Sequence, residues 1–187
     1  MTIENIIKRS RSYRRFDERH KVDEATLKEF VDLARLSPSA ANSQPLKYVL
    51  SFDASKNDLI FPALTWAGYL KDWAGPEKGE RPSAYVVILG DKDISKSFEY
   101  DAGIASQSIL LGAVEKGLGG CILGSINRDL LRKNLNIPQQ YDVLLVIALG
   151  KPKENVVLVE AKEDIKYFRD KNGIHHVPKR PLKEIIL

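Results

Sequence analysis

The sequence predicts one domain in which helices surround a single sheet, and three observations predict it. Residues 102 to 114 carry no charge, and apolar or small residues occupy every face of the helix they must form. A helix with no wet face is buried all round. Val143 to Leu149 is continuously apolar and partly β-branched, which reads as a strand covered on both faces and as the centre of the sheet. Amphipathic helix patterns and short strand patterns share the remaining chain, and no linker, repeat or low-complexity tract divides the 187 residues.

The helices and strands follow in order. Thr2 can cap a short helix to about Arg9, with Ile3, Ile6 and Ile7 on one face, and Ser10 to Phe16 (SRSYRRF) is a loop. Asp23 can cap a second helix, because Leu27, Phe30, Val31 and Ala34 fall at helical spacing. Pro38 ends it near Ser37, since the residue before a proline avoids helical geometry. The polar loop SPSAANSQP, Ser37 to Pro45, opens into a strand around Tyr48 to Phe52. Its hydroxyls and amides either read the edge of a heterocycle or satisfy their own backbone.

Lys56 to Tyr69 is weakly helical, and Trp66, Tyr69 and Trp73 form either a lid over a planar substrate or core packing. The charged loop Gly75 to Arg81 precedes a strand over Ala84 to Leu89. The uncharged helix sits at the centre of the molecule or of a subunit interface, stops at Gly117, and is followed by Gly119, Gly120 and Gly124 around Cys121, Ile122 and Leu123. Glycines at that density indicate either a backbone lying against a flat ligand or a strand with tight turns at both ends. Asn127 can cap a helix over Arg128 to Leu135, closed by Pro138. Beyond Lys151, Val156 to Val159 can add a strand; the rest is charged and poor in core-forming groups, so it must lie on something else, most economically a second copy of the chain.

With 43% apolar residues the chain can bury a good core, and its one cysteine excludes a disulfide framework and fits a reducing compartment. No stretch has signal-peptide or membrane-spanning character, which places the protein in the cytoplasm, away from membranes. The formal net charge is +4, and residues 1 to 21, with seven basic against three acidic side chains, hold all of the excess. That pattern argues against a nucleic-acid surface and for one focused anion site.

Side-chain catalysts are absent. Cys121 lies in an apolar run without a nearby histidine, and His20, His175 and His176 have no metal-ligand spacing, so neither a catalytic residue nor a metal is assigned. No P-loop exists, and Ile122 stands where a dinucleotide fingerprint needs its last glycine. What remains, cationic loops, a polar loop and a glycine-rich strand, suits a protein whose chemistry belongs to a bound cofactor.

Taken in order, SRSYRRF, SPSAANSQP, GLGGCILGS, NLNIP, VLLVIALGKPKE and VPKRPL resemble the FMN-dependent nitroreductase family over nearly the whole chain. Each motif alone is weak, and the ordered set is specific. The resemblance implies an α+β fold, a three-layer sandwich with a mainly antiparallel sheet flanked by helices. It further implies one domain over residues 1–187 in an intertwined homodimer, with residues 151–187 as an arm on the partner. FMN is the implied cofactor, held at the dimer interface by both subunits. Arg11, Ser12 and Arg14 then match the motif that holds phosphate, ribityl and pyrimidine edge. Pro38, Ser39, Ala40, Asn42 and Gln44 match the loop from the other subunit. Ile122, Leu123, Gly124 and Ser125 match the segment against the isoalloxazine, and Lys179 and Arg180 match a basic pair at the phosphate.

Two departures matter. Many members carry an arginine two positions before the motif serine, where this chain has Ser10, so Arg9 or Arg11 must substitute. The residue near flavin N1 and O2 has Lys78 and Arg81 as candidates. The implied activity is ping-pong hydride transfer from NAD(P)H through FMN to a small electron-poor acceptor, such as a nitroaromatic or quinone. The alternatives are a flavin reductase, a flavin-modifying relative, or a non-catalytic nucleotide-binding protein.

Overall fold

A computed structural model describes all of the chain, residues 1–187. Strand β5 (Tyr141–Pro152) is its axis. On one side β5 pairs antiparallel with β3 (Ala84–Asp91), which pairs antiparallel with the edge strand β2 (Leu46–Ser51). On its other side the same strand receives β4 (Gly119–Leu123) along Val146 to Gly150 and the short β1 (Phe16–Asp17) at Lys151 and Pro152.

The sheet's alternation sorts two cores. Ala84, Val86, Ile88, Ile147 and Leu149 face α2 (Glu24–Leu36) and α4 (Glu99–Glu115). Tyr85, Val87, Leu89, Val146 and Ala148 face α3 (Ala54–Ile60), α5 (Arg128–Leu135) and Trp66. Helices, sheet and helices make the expected α+β sandwich of three layers. Because both faces are covered, Val146 to Leu149 are fully buried.

Local signals set the helix boundaries. The Thr2 hydroxyl accepts from the Asn5 amide at the start of α1 (Ile3–Arg9), and the Asp23 carboxylate accepts from the Thr26 amide at 2.8 Å to open α2. Asn127 caps α5 in the same way. Gly117 takes φ 71°, a left-handed turn that stops α4 and that glycine adopts without strain. Helix α3 is shorter than the pattern over Lys56 to Tyr69 indicates. It passes into a tight turn at Phe61–Ala63, because Pro62 lacks the N–H needed to extend the ladder, and Leu64 then bridges Ile126.

Two expectations are modified. Helix α4 is not buried all round within one chain: Tyr100, Gly103, Ile104 and Gln107 leave an open, uncharged stripe along it. The segment after Lys151 does build structure of its own. Strand β6 (Val156–Glu160) runs parallel to β8 (His175–Lys179), and β7 (Phe168–Arg169) pairs antiparallel with β8. This small sheet rests on the N-terminal segment of the same chain, where Glu154 accepts the backbone N–H of Arg14 at 2.5 Å. The chain's end, with Leu182, Ile185, Ile186 and Leu187, stands exposed, as do Leu158, Ile165 and Phe168.

Candidate functional site

The basic loop is laid against β4. Ser12 forms a parallel bridge with Gly120, and the Tyr13 amide donates to the Gly120 carbonyl at 3.0 Å. That approach accounts for two of the glycines. A Cβ on Gly119 would lie 2.5 Å from the Tyr13 ring, and one on Gly120 would lie 2.5 Å from the Ala148 carbonyl oxygen. They serve internal packing. Gly124 differs, since a Cβ there would meet nothing closer than Leu145 at 3.8 Å.

Beside this loop lies a cavity of about 270 Å³ lined by Arg11, Ser12, Arg14, Ile122 and Lys179, five of the residues named from sequence. Its cations are unevenly satisfied. Arg11 donates from Nη2 to the Ile7 carbonyl at 2.8 Å, whereas its Nε is buried without a partner. Burial lowers the Arg11 pKa. Arg14 is 8% exposed, donates to the Ser12 carbonyl at 3.2 Å, and also has a buried, unpartnered Nε. Buried donors without acceptors are rare and costly, and both of these belong to arginines that line the cavity beside Lys179.

Further side chains that the sequence reading did not select reach this cavity, among them Gln107, Tyr167 and His175. The Tyr167 ring lies 4.7 Å from the Arg14 guanidinium and 4.9 Å from the Tyr69 ring. His175 is 1% exposed, and burial, then Arg14, lowers its pKa to about 4. A signal for it existed. In a strand, alternate residues share a face, so placing Lys179 at the site places Val177 and His175 there as well.

The loop after α2 forms a second cavity of about 190 Å³, whose lining includes Pro38, Ser39, Gln44, Tyr48 and Asp101. Asp101 is the loop's anchor, with one oxygen accepting from the Ser39 hydroxyl at 2.8 Å and the other from the Ala40 amide at 2.9 Å. Burial, then Asp101, pushes Tyr48 up to about 12. Ala41, Asn42 and Gln44 hold left-handed φ values of 50°, 53° and 50°, uncommon for Ala and Gln, and such strain gathers at binding sites.

The two cavities open on different sides of α4. Ala105 lines the loop cavity and Gln107 the cation cavity, two residues apart and about 200° around the helix. Other assignments also resolve. The Leu123 side chain points into the core, Arg180 is exposed beyond the cation cavity, and Gly124 and Ser125 lie exposed after β4. Lys78 and Arg81 line a different cavity near Asp58 and Phe61, which removes them from the cation site. Of the aromatics, Trp66 is core, while Trp73 lies 4.9 Å beneath Arg169.

Residues 7–151 match the profile of the Nitroreductase family. The chain belongs to the nitroreductase family. Among its nitroreductase relatives, a protein of Archaeoglobus fulgidus named "Putative NADH dehydrogenase/NAD(P)H nitroreductase" is 30% identical over 162 residues, which covers 82% of this chain and 87% of that protein. The 5,6-dimethylbenzimidazole synthase of Rhodospirillum rubrum is 23% identical over 169 residues, with 75% and 79% covered. In structure, this nitroreductase chain is similar to a nitroreductase family protein of Streptococcus pneumoniae, with TM-score 0.72, 18% identity, and 100% and 99% of the two chains covered. It is also similar to an FMN-dependent nitroreductase of Clostridium difficile, with TM-score 0.66, 22% identity, and 87% and 92% covered. At these identities the structural likeness carries the fold.

Proposed function

We propose that this nitroreductase-family oxidoreductase binds FMN and works as a homodimer that transfers electrons from NAD(P)H to a small electron-poor acceptor. The observation that carries the reading is the cation cavity: Arg11, Arg14 and Lys179, from segments distant in sequence, converge there with two unpartnered buried donors. A phosphate dianion is the chemistry that satisfies them. The residues present therefore fit FMN, which is also named for one of the similar structures.

When bound, FMN would supply the redox chemistry of a ping-pong cycle between NAD(P)H and the acceptor. The chain's own part is to bind, orient and supply charge. Arg11 and Lys179 serve the phosphate, while Arg180 stays outside the cavity. Arg14, held by the Ser12 carbonyl and His175, keeps positive charge at the inner wall, where it favours an anionic reduced ligand. Ile122 offers an apolar surface, 39% exposed, at the mouth. No side chain is assigned as acid or base, since solvent can supply protons.

The cavity is at the low end of the roughly 300–1,000 Å³ that ligand sites occupy, so it suits one end of the cofactor rather than all of it. A second copy docked on the open stripe of α4 would bring the loop of Pro38, Ser39, Ala40, Asn42 and Gln44 to complete it. The exposed C-terminal residues from Arg180 to Leu187 are then the part left to lie on the partner. No helix is long and apolar enough to cross a membrane.

Arg14→Ala tests the reading. FMN titrated against the variant by fluorescence quenching should bind at least tenfold more weakly, the loss of a charge-assisted hydrogen bond worth about 1.5–3 kcal/mol. Unchanged flavin affinity would remove Arg14 from the site.

A further inference from the structure

We infer that His175 is a positioning residue for Arg14, a neutral hydrogen-bond acceptor that holds the guanidinium in the orientation FMN binding needs. The inference rests on the functional reading above. Arg14 has donors only, so the 3.3 Å contact between its Nη1 and His175 Nε2 is a hydrogen bond when Nε2 carries no proton. The ring's proton then lies on Nδ1, which is itself buried without a partner. A protonated imidazole would place donor against donor and charge against charge, turning the contact repulsive.

The surroundings allow only the neutral form. His175 is 1% exposed, and the charged groups facing it are Arg14, Arg169 and the titratable neighbour His176, all cationic or capable of becoming so. Glu154, the nearby carboxylate, is engaged by the amides of Arg14 and Arg15 and by Arg169 at 3.1 Å, and it makes no bond to the imidazole. Burial and the neighbouring cations agree in direction, lowering the His175 pKa to about 4.

The guanidinium is in turn enclosed on three sides. The Ser12 carbonyl takes one bond at 3.2 Å, His175 takes a second from the same Nη1, and the Tyr167 ring covers a face at 4.7 Å. The Tyr167 and His175 rings lie 5.2 Å apart and so support each other. With Nη1 shared between two internal acceptors and Nε buried, Nη2 is the donor left for a ligand. Two of the three restraints come from the segment after residue 160, which gives that segment a task in cofactor recognition beyond contributing Lys179.

The test is a double-mutant cycle read by FMN fluorescence quenching on the full-length chain. His175→Leu should weaken FMN binding about tenfold. His175→Gln, which can present a carbonyl oxygen to Nη1, should restore affinity to within about threefold of wild type. In an Arg14→Ala background His175→Leu should cause no further loss, because there is no guanidinium left to orient. Equal affinity of wild type and His175→Leu overturns the inference. So does an equal loss in the leucine and glutamine variants that tracks their melting temperatures, or a full additional loss in the Arg14→Ala background, since each marks a role in folding only. Failure of wild type itself to take up FMN is a separate result, which removes the functional reading and the role of His175 with it.

Discussion

Ser39 and Asp101 are joined by a 2.8 Å hydrogen bond that ties the loop after α2 to the first turn of α4. The second Asp101 oxygen holds the Ala40 amide, so one buried carboxylate fixes the entry to the left-handed positions Ala41, Asn42 and Gln44. Asp101→Ala leaves both donors without an acceptor and should destabilise the fold by about 2 kcal/mol, with new proteolytic cleavage within residues 38 to 44. Urea denaturation and limited proteolysis measure both, and a wild-type midpoint with an intact loop would show that Asp101 is not the anchor.

Gly120 in β4 and Gly124 just after it separate packing from binding. In Gly120→Ala the new methyl meets a backbone carbonyl, which cannot swing away, and stability should fall by about 2–3 kcal/mol. Gly124→Ala enters open space and should leave stability within about 0.5 kcal/mol. Thermal melts of the pair decide it. Equal losses would mean that both positions are structural.

His175 ties stability to pH. The folded chain keeps the imidazole neutral down to about pH 4, whereas an unfolded chain protonates it near the ordinary histidine value of 6.5. Between those values unfolding takes up a proton, so this contribution is fully present above about pH 6.5 and is lost as pH falls towards 4. Denaturation curves at pH 7 and pH 4.5 should show wild type losing more stability than His175→Leu, by on the order of 2 kcal/mol. Identical losses would show the imidazole to be solvated in the folded chain.

Cys121 is 2% exposed, and burial raises its thiol pKa. The folded protein should therefore react with a thiol reagent such as dithionitrobenzoate only as fast as it unfolds, and completely in guanidinium. Rapid labelling in native buffer would contradict the packing of β4.

Much of this architecture is legible in the sequence because it is local or periodic. The caps at Thr2, Asp23 and Asn127 sit where a side-chain oxygen meets a free amide one turn on, and Val143 to Leu149 needs two covered faces wherever it lies. The cation cavity was legible only in part. Arg11, Ser12, Arg14, Ile122 and Lys179 belong to short motifs, whereas Tyr167 and His175 reach the site through a three-stranded sheet that a charged, proline-containing tail does not announce. Helix α4 gave an ambiguous signal for a physical reason. A stripe such as Tyr100, Gly103, Ile104 and Gln107 has the same composition whether its cover is the chain's own core or a second copy. Lys78 and Arg81 line a cavity other than the cation site, and charge alone says nothing about which side of the sheet a loop occupies.

The most direct measurement is the visible absorption spectrum of the purified protein supplied with FMN, before and after anaerobic addition of NADH or NADPH. A protein-bound oxidised-flavin spectrum that bleaches with one of the two nucleotides is the expected result, establishing cofactor and donor together. A colourless protein that takes up no FMN would contradict the central claim, leaving a nitroreductase fold whose cation cavity serves another anion.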